Sequence, residues 1–67
     1  MIKNNLAVLM AKQKIRAAEL SRMTGISEST LSYLYNEKTT KISFEVIDKL
    51  CEALDCQVGE LFERIPD

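Results

Sequence analysis

The stretch SESTLSYLYN, residues 27–36, gathers short hydrogen-bonding side chains at helical spacing. At about 100° per residue, Thr30, Leu31 and Leu34 fall on one side of a helix, and Glu28, Ser29, Ser32, Tyr33 and Asn36 on the other. The first set can pack inward. The second set offers hydroxyls, one carboxylate and one phenol, the groups a helix needs to exchange hydrogen bonds with base edges in a nucleic-acid groove. Covalent chemistry finds no comparable support. The chain has no histidine and only two glycines, so there is neither a base for Ser27, Ser29 or Ser32 nor a phosphate-cradling glycine loop. The carboxylates recur at intervals typical of solvated helix faces, and the expectation is a protein that is not an enzyme. Cys51 and Cys56 lie five apart. A disulfide across that spacing would strain a helix end, and two thiols without histidine do not make a structural zinc site. Both read as thiols, Cys51 as a small core residue and Cys56 at a helix end. No metal, cofactor or small-molecule ligand is indicated.

These side chains need a frame, and the run AAELSRMTGISESTLSYLYN, residues 17–36, predicts one of two short helices joined by a tight turn. Ala18, Leu20, Ser21 and Met23 are the packing positions expected of the first of these helices. Gly25 is the pivot, because the residue that ends a helix in the left-handed conformation does so at least cost without a Cβ. Ile26 then plugs the corner. Ser27 is a good N-cap, with Glu28 favoured by the dipole in the first turn.

Ahead of this pair, a helix is expected from about Lys3 to Gln13, with Leu6, Leu9 or Met10 and, just ahead of it, Ile2 on its apolar stripe, and Lys12, Gln13 and Lys14 at its end. Ile15 reads as a core residue in the link. The next helix opens near Arg16 with no Ser, Thr or Asp cap. After Asn36 the polar segment Glu37–Lys41 contains no glycine, so Asn36 or Glu37 must take a left-handed conformation, which Asn tolerates better. Ser43 caps a fourth helix whose stripe is Phe44, Ile47, Leu50, Cys51 and Leu54. Val58, Leu61, Phe62 and Ile65 mark a short fifth helix stopped by Pro66. No segment alternates at period two, so no sheet is expected. The fold class predicted is all-α, five helices in a single domain over residues 1–67, with no separate sensor or dimerisation domain.

The residues quoted for the helical pair resemble the helix-turn-helix of the phage-repressor (Cro/C1-type, XRE) family of DNA-binding proteins. Gly25, Ile26, Leu31 and Leu34 match the family pattern, as does a small residue four before the glycine, here Ser21 where Ala is usual. The segment Ile42 to Phe62, ending in VGELFE, is similar to the family's last two helices, so the resemblance spans roughly Leu6 to Phe62. It implies a lambda-repressor-like domain that binds double-stranded DNA as a transcriptional regulator, with residues 27–36 in the major groove of an operator. Ser27, Glu28, Ser29, Ser32 and Tyr33 would then face bases. Arg16, Ala17, Asn36, Lys38 and Lys41 would hold phosphates. Family members often carry Gln where this chain has Ala17, so contact at that position falls to backbone N–H groups or to Arg16.

Charge distribution agrees with a nucleic-acid partner more than the overall net charge of −1 does. Residues 1–41 carry seven basic side chains (Lys3, Lys12, Lys14, Arg16, Arg22, Lys38, Lys41) and three acidic (Glu19, Glu28, Glu37), a net of +4. Residues 42–67 carry two basic (Lys49, Arg64) and seven acidic (Glu45, Asp48, Glu52, Asp55, Glu60, Glu63, Asp67), a net of −5. The basic half contains the helix-turn-helix. Glu28, which repels phosphate but can accept a hydrogen bond from cytosine, keeps open a rival reading as a protein-interaction module, such as an antitoxin-like partner. One reading helix offers few contacts, so a two-fold homodimer is expected, in solution or only on DNA. Val58, Phe62 and Ile65 of the acidic half are the candidate interface. There is no secretory signal and no run long enough to cross a membrane, so the expected location is the cytoplasm.

Overall fold

The computed structural model describes residues 1–66. In chain order it holds β1 (Ile2–Asn4), α1 (Leu6–Gln13), α2 (Ala17–Thr24), α3 (Glu28–Tyr35), α4 (Phe44–Leu54), α5 (Val58–Leu61) and β2 (Phe62–Arg64). The five helices enclose one core. Leu6 and Met10 of α1, Leu20 of α2, Ile26 of the turn, Leu31 and Leu34 of α3, Leu50 and Leu54 of α4 and Leu61 of α5 are all buried in it. Fully burying a leucine contributes roughly 1.5–3 kcal/mol, so this leucine-rich cluster is what holds short helices that would not survive alone.

Two elements depart from expectation at the chain ends. The first helix starts at Leu6, not Lys3, and the last stops at Leu61 instead of running to Ile65. The freed residues form a two-stranded antiparallel sheet that the sequence pattern did not predict, with Ile2 opposite Arg64, Lys3 opposite Glu63 and Asn4 opposite Phe62. The ladder continues at both ends, from Asn5 N–H to Leu61 O at 2.7 Å and from Ile65 N–H to Met1 O at 2.8 Å. Strands of three residues are too short to show an alternating pattern, and pairing across some sixty positions leaves no local trace. The α5 helix is stopped by this pairing, five residues before Pro66, and opens where Gln57 N–H donates to the Glu60 carboxylate at 2.9 Å.

Four side chains expected to pack inward point elsewhere. Phe44 is 89% exposed because it is the first residue of α4, ahead of the face that Val46, Leu50, Cys51, Ala53 and Leu54 turn inward. Met23 and Ala18 of α2 are exposed, and Thr24 takes the buried place. Its hydroxyl is satisfied there, donating to Leu20 O at 2.7 Å and accepting Ile26 N–H at 3.1 Å. Thr30 is also exposed.

Candidate nucleic-acid interface

The junction between α2 and α3 is built from adjacent residues. Gly25 sits at φ +77°, the left-handed cap, and its N–H donates to Ser21 O at 2.8 Å. A Cβ at Gly25 would meet no atom within 4 Å, so glycine is required by conformation and not by space. The Ser21 hydroxyl donates to Ile26 O at 2.5 Å, which fastens the corner from inside. Ser27 caps α3, accepting Thr30 N–H at 3.2 Å and donating to the Thr30 hydroxyl at 2.9 Å. Thr30 is therefore drawn into the cap instead of the core, and Ser27 uses its hydroxyl in the fold.

Of the residues expected to read bases, Glu28, Ser29, Ser32 and Tyr33 line one open concavity together with Ala17 at the start of α2. Glu28 and Ser29 are exposed and Tyr33 is 59% exposed, while Ser32 is half-buried. Two helices thus converge on one hollow, the polar face of α3 on one side and the first turn of α2 on the other. Tyr35 also lines it and was not among the predicted site residues. Its spacing, three after Ser32 and seven after Glu28, was the signal that could have placed it there.

The expected phosphate-binding positions divide into two groups. Arg16 precedes α2 in an extended conformation, and no side chain caps that helix, so its first amides are open beside Ala17. Asn36 turns back onto its own helix, where its Nδ2 donates to the Ser32 hydroxyl at 3.2 Å. The left-handed residue that closes α3 is Glu37, at φ +58°, while Asn36 keeps φ −90°. This reverses the order that intrinsic tolerance suggests. Lys38 and Lys41 follow, both exposed, and neither forms an ion pair among the described residues. The Lys38 amide is used by Tyr33 O at 2.9 Å, which leaves the ammonium free to face a phosphate.

The candidate dimer residues are not one patch. Val58 is 54% exposed and shares a groove with Phe44, Ile47, Cys51 and Cys56, bordered by Asp48, Glu52 and Asp55. Phe62 lies half-buried in β2 beside Ile2, Asn4 and Leu34, and Ile65 pairs with Met1. Both cysteines are free thiols and half-buried, as expected. Burial, then the neighbouring Cys51 thiol and the carboxylates of Glu60 and Asp55, push the Cys56 thiol up to about 11. It therefore stays protonated at neutral pH, unlike a thiolate nucleophile or metal ligand. Among the described residues no cluster of three or more metal-ligating side chains occurs, and no helix is long and apolar enough to cross a membrane.

A capped helix pair with a polar, solvent-facing second helix, open amides beside it and unpaired lysines after it defines a helix-turn-helix nucleic-acid-binding domain. Residues 5–67 match the family of Cro/C1-type HTH DNA-binding domains. The chain belongs to that family. It is 39% identical over 63 residues to the uncharacterised HTH-type transcriptional regulator YozG of Bacillus subtilis (strain 168), covering 94% of this chain and 75% of that protein. Among solved structures it resembles a candidate DNA-binding protein from Bacteroides fragilis, with TM-score 0.82, 25% identity and 94% and 100% of the two chains covered. It also resembles the transcriptional regulator VanUg, with TM-score 0.75, 28% identity and 98% and 87% covered.

Proposed function

We propose that this protein is a sequence-specific transcriptional repressor that lays α3 in the major groove of an operator. The observation that carries the reading is the hollow where Glu28, Ser29, Ser32 and Tyr33 of α3 meet Ala17 at the start of α2. Glu28, Ser29, Ser32, Tyr33 and, beside them, Tyr35 face base edges, whereas Ser27 is spent on the cap. Arg16 and the open amides at Ala17 hold one phosphate stretch, and Lys38 and Lys41 hold another, with Asn36 buttressing Ser32 between them. Occupancy of the operator blocks transcription, and the cytoplasm, where bacterial chromosomes lie, is the compartment of action. The working unit is a homodimer reading two half-sites about one DNA turn, roughly 34 Å, apart. Val58 and the neighbouring Phe44 are its exposed apolar surface, while Phe62 and Ile65 contribute through the hairpin.

The test is selection of sites from a randomised duplex pool, followed by a salt titration on the winning site. A near-palindrome and a steep fall of affinity with salt are expected. Failure to enrich any sequence, with salt-insensitive capture of a protein instead, would favour the interaction-module reading. Sedimentation with the selected duplex checks the dimer: two protomers per site for the parent, and loss of the second protomer in Val58→Asp.

A further inference from the structure

The C-terminal end of α3 is held by a side chain from the other end of the sequence. Asn4 Nδ2 donates to Leu34 O at 2.7 Å, thirty residues away and partly buried. Its Oδ1 accepts Leu6 N–H at 3.3 Å. A carbonyl can only accept and an amide N–H can only donate, so the orientation of this carboxamide follows from its two partners. Each partner belongs to a helix end that lacks intrahelical bonds, the start of α1 and the finish of α3. One amide group thus caps two helices of opposite polarity and ties them together. Asn4 is itself held in place by β1, where it pairs with Phe62, and by the next residue, whose N–H donates to Leu61 O at 2.7 Å.

We infer that Asn4 is a positioning residue for DNA recognition, fixing the end of α3 against α1 and the terminal hairpin so that the reading face and the following lysines keep their pose. The inference rests on the reading of α3 as the DNA-contacting helix. Two further features point the same way. The turn after α3 has no glycine and closes through Glu37 at φ +58°, a conformation uncommon for residues with a Cβ, which Lys14 and Asp55 also adopt at the ends of α1 and α4. Leu34 O accepts Glu37 N–H at 3.0 Å as well as the Asn4 amide, so the carbonyl that Asn4 holds is the one on which that turn closes. Tyr33, next to Leu34, carries a base-facing phenol, and its carbonyl binds the Lys38 amide. Base-reading and phosphate-holding groups therefore meet at the point Asn4 anchors. Directional hydrogen bonds to base edges weaken steeply with small misalignment, so a loosened α3 end lowers affinity for the operator more than for unrelated DNA.

Asn4→Asp separates the two roles of this side chain. The carboxylate still accepts Leu6 N–H, but it cannot donate and confronts Leu34 O with a like partial charge. Asn4→Ala removes both bonds. Affinities for the selected operator and for a scrambled duplex are measured at equal salt, with circular dichroism reporting the folded fraction. At pH 8, Asn4→Asp is expected to lower the operator-to-scrambled ratio about tenfold, the scale of one lost hydrogen bond. Loss of folded protein scales both affinities alike, so equal losses on both duplexes mark a merely structural role and overturn the inference. An unchanged ratio in Asn4→Asp and Asn4→Ala, with a discriminating parent, also overturns it while leaving the DNA-binding reading intact. A parent that does not discriminate overturns that reading, and the inference with it.

Discussion

The helix α3 begins at a junction made by neighbours in sequence and ends at one made by residues far away. At its start, Gly25 supplies the left-handed cap, Ser21 fastens Ile26 and Ser27 caps the first turn, all within seven residues. At its end, Glu37 occupies the left-handed position and Asn4 reaches across from β1 to hold Leu34 O. The first junction suits its residues to their conformations. The second places a residue in a conformation it does not favour, closes it with the local bonds from Glu37 N–H to Leu34 O and from Lys38 N–H to Tyr33 O, and adds one contact from far away in the chain. A helix that must present side chains to a partner can be anchored either way, but only the first kind is robust to changes elsewhere in the chain.

The largest test of this contrast removes what both junctions share. Leu31 is fully buried between them, and Leu31→Ala is expected to destabilise the fold by about 2–5 kcal/mol in urea unfolding. A loss below that range would mean that the two junctions hold α3 without its core contact. At the local junction, Gly25→Ala is expected to cost about 1–2 kcal/mol from conformation alone, because its Cβ meets open space. A larger loss, with altered near-ultraviolet circular dichroism, would mean that the turn also depends on close packing. Ser27→Ala removes the cap and is expected to cost about 1 kcal/mol.

The distant junction predicts the opposite sign. Glu37→Gly relieves the left-handed conformation and is expected to stabilise the protein by about 0.5–1 kcal/mol. If it destabilised instead, Glu37 would have a favourable contact that its backbone angle does not reveal. The smallest effects concern binding. Lys38→Ala, just past the second junction, is expected to lower the salt slope by about one unit on all sequences alike. Glu28→Gln, just past the first, is expected to leave the slope nearly unchanged and shift base preference away from cytosine. Exchanged phenotypes would reverse the division of labour between the two ends.

Most of the hollow between α2 and α3 was legible in the sequence because its determinants are close in the chain. Glu28, Ser29, Ser32 and Tyr33 follow from helical spacing, and Ala17 joins them through a turn whose glycine and serine each act within four residues. The inward face of α4 was legible at Leu50, Cys51 and Leu54, whereas Val46 and Ala53, which also pack on the core, were not predicted, and Phe44 was predicted there wrongly. The position of Phe44 depends on where the helix meets the core, and a repeat of 3.6 residues does not specify that at a helix terminus.

The sequence by itself determined the five helices, the Gly25 pivot, the Ser27 and Ser43 caps and the polar face of α3, because a cap or a helical stripe is completed by residues a few positions apart. Only the tertiary structure decided the terminal hairpin and the Asn4 bond to Leu34. Each of those depends on partners brought together by burial of the common core. A pair of three-residue strands is not stable alone and depends on the core that Leu6, Leu34 and Leu61 share.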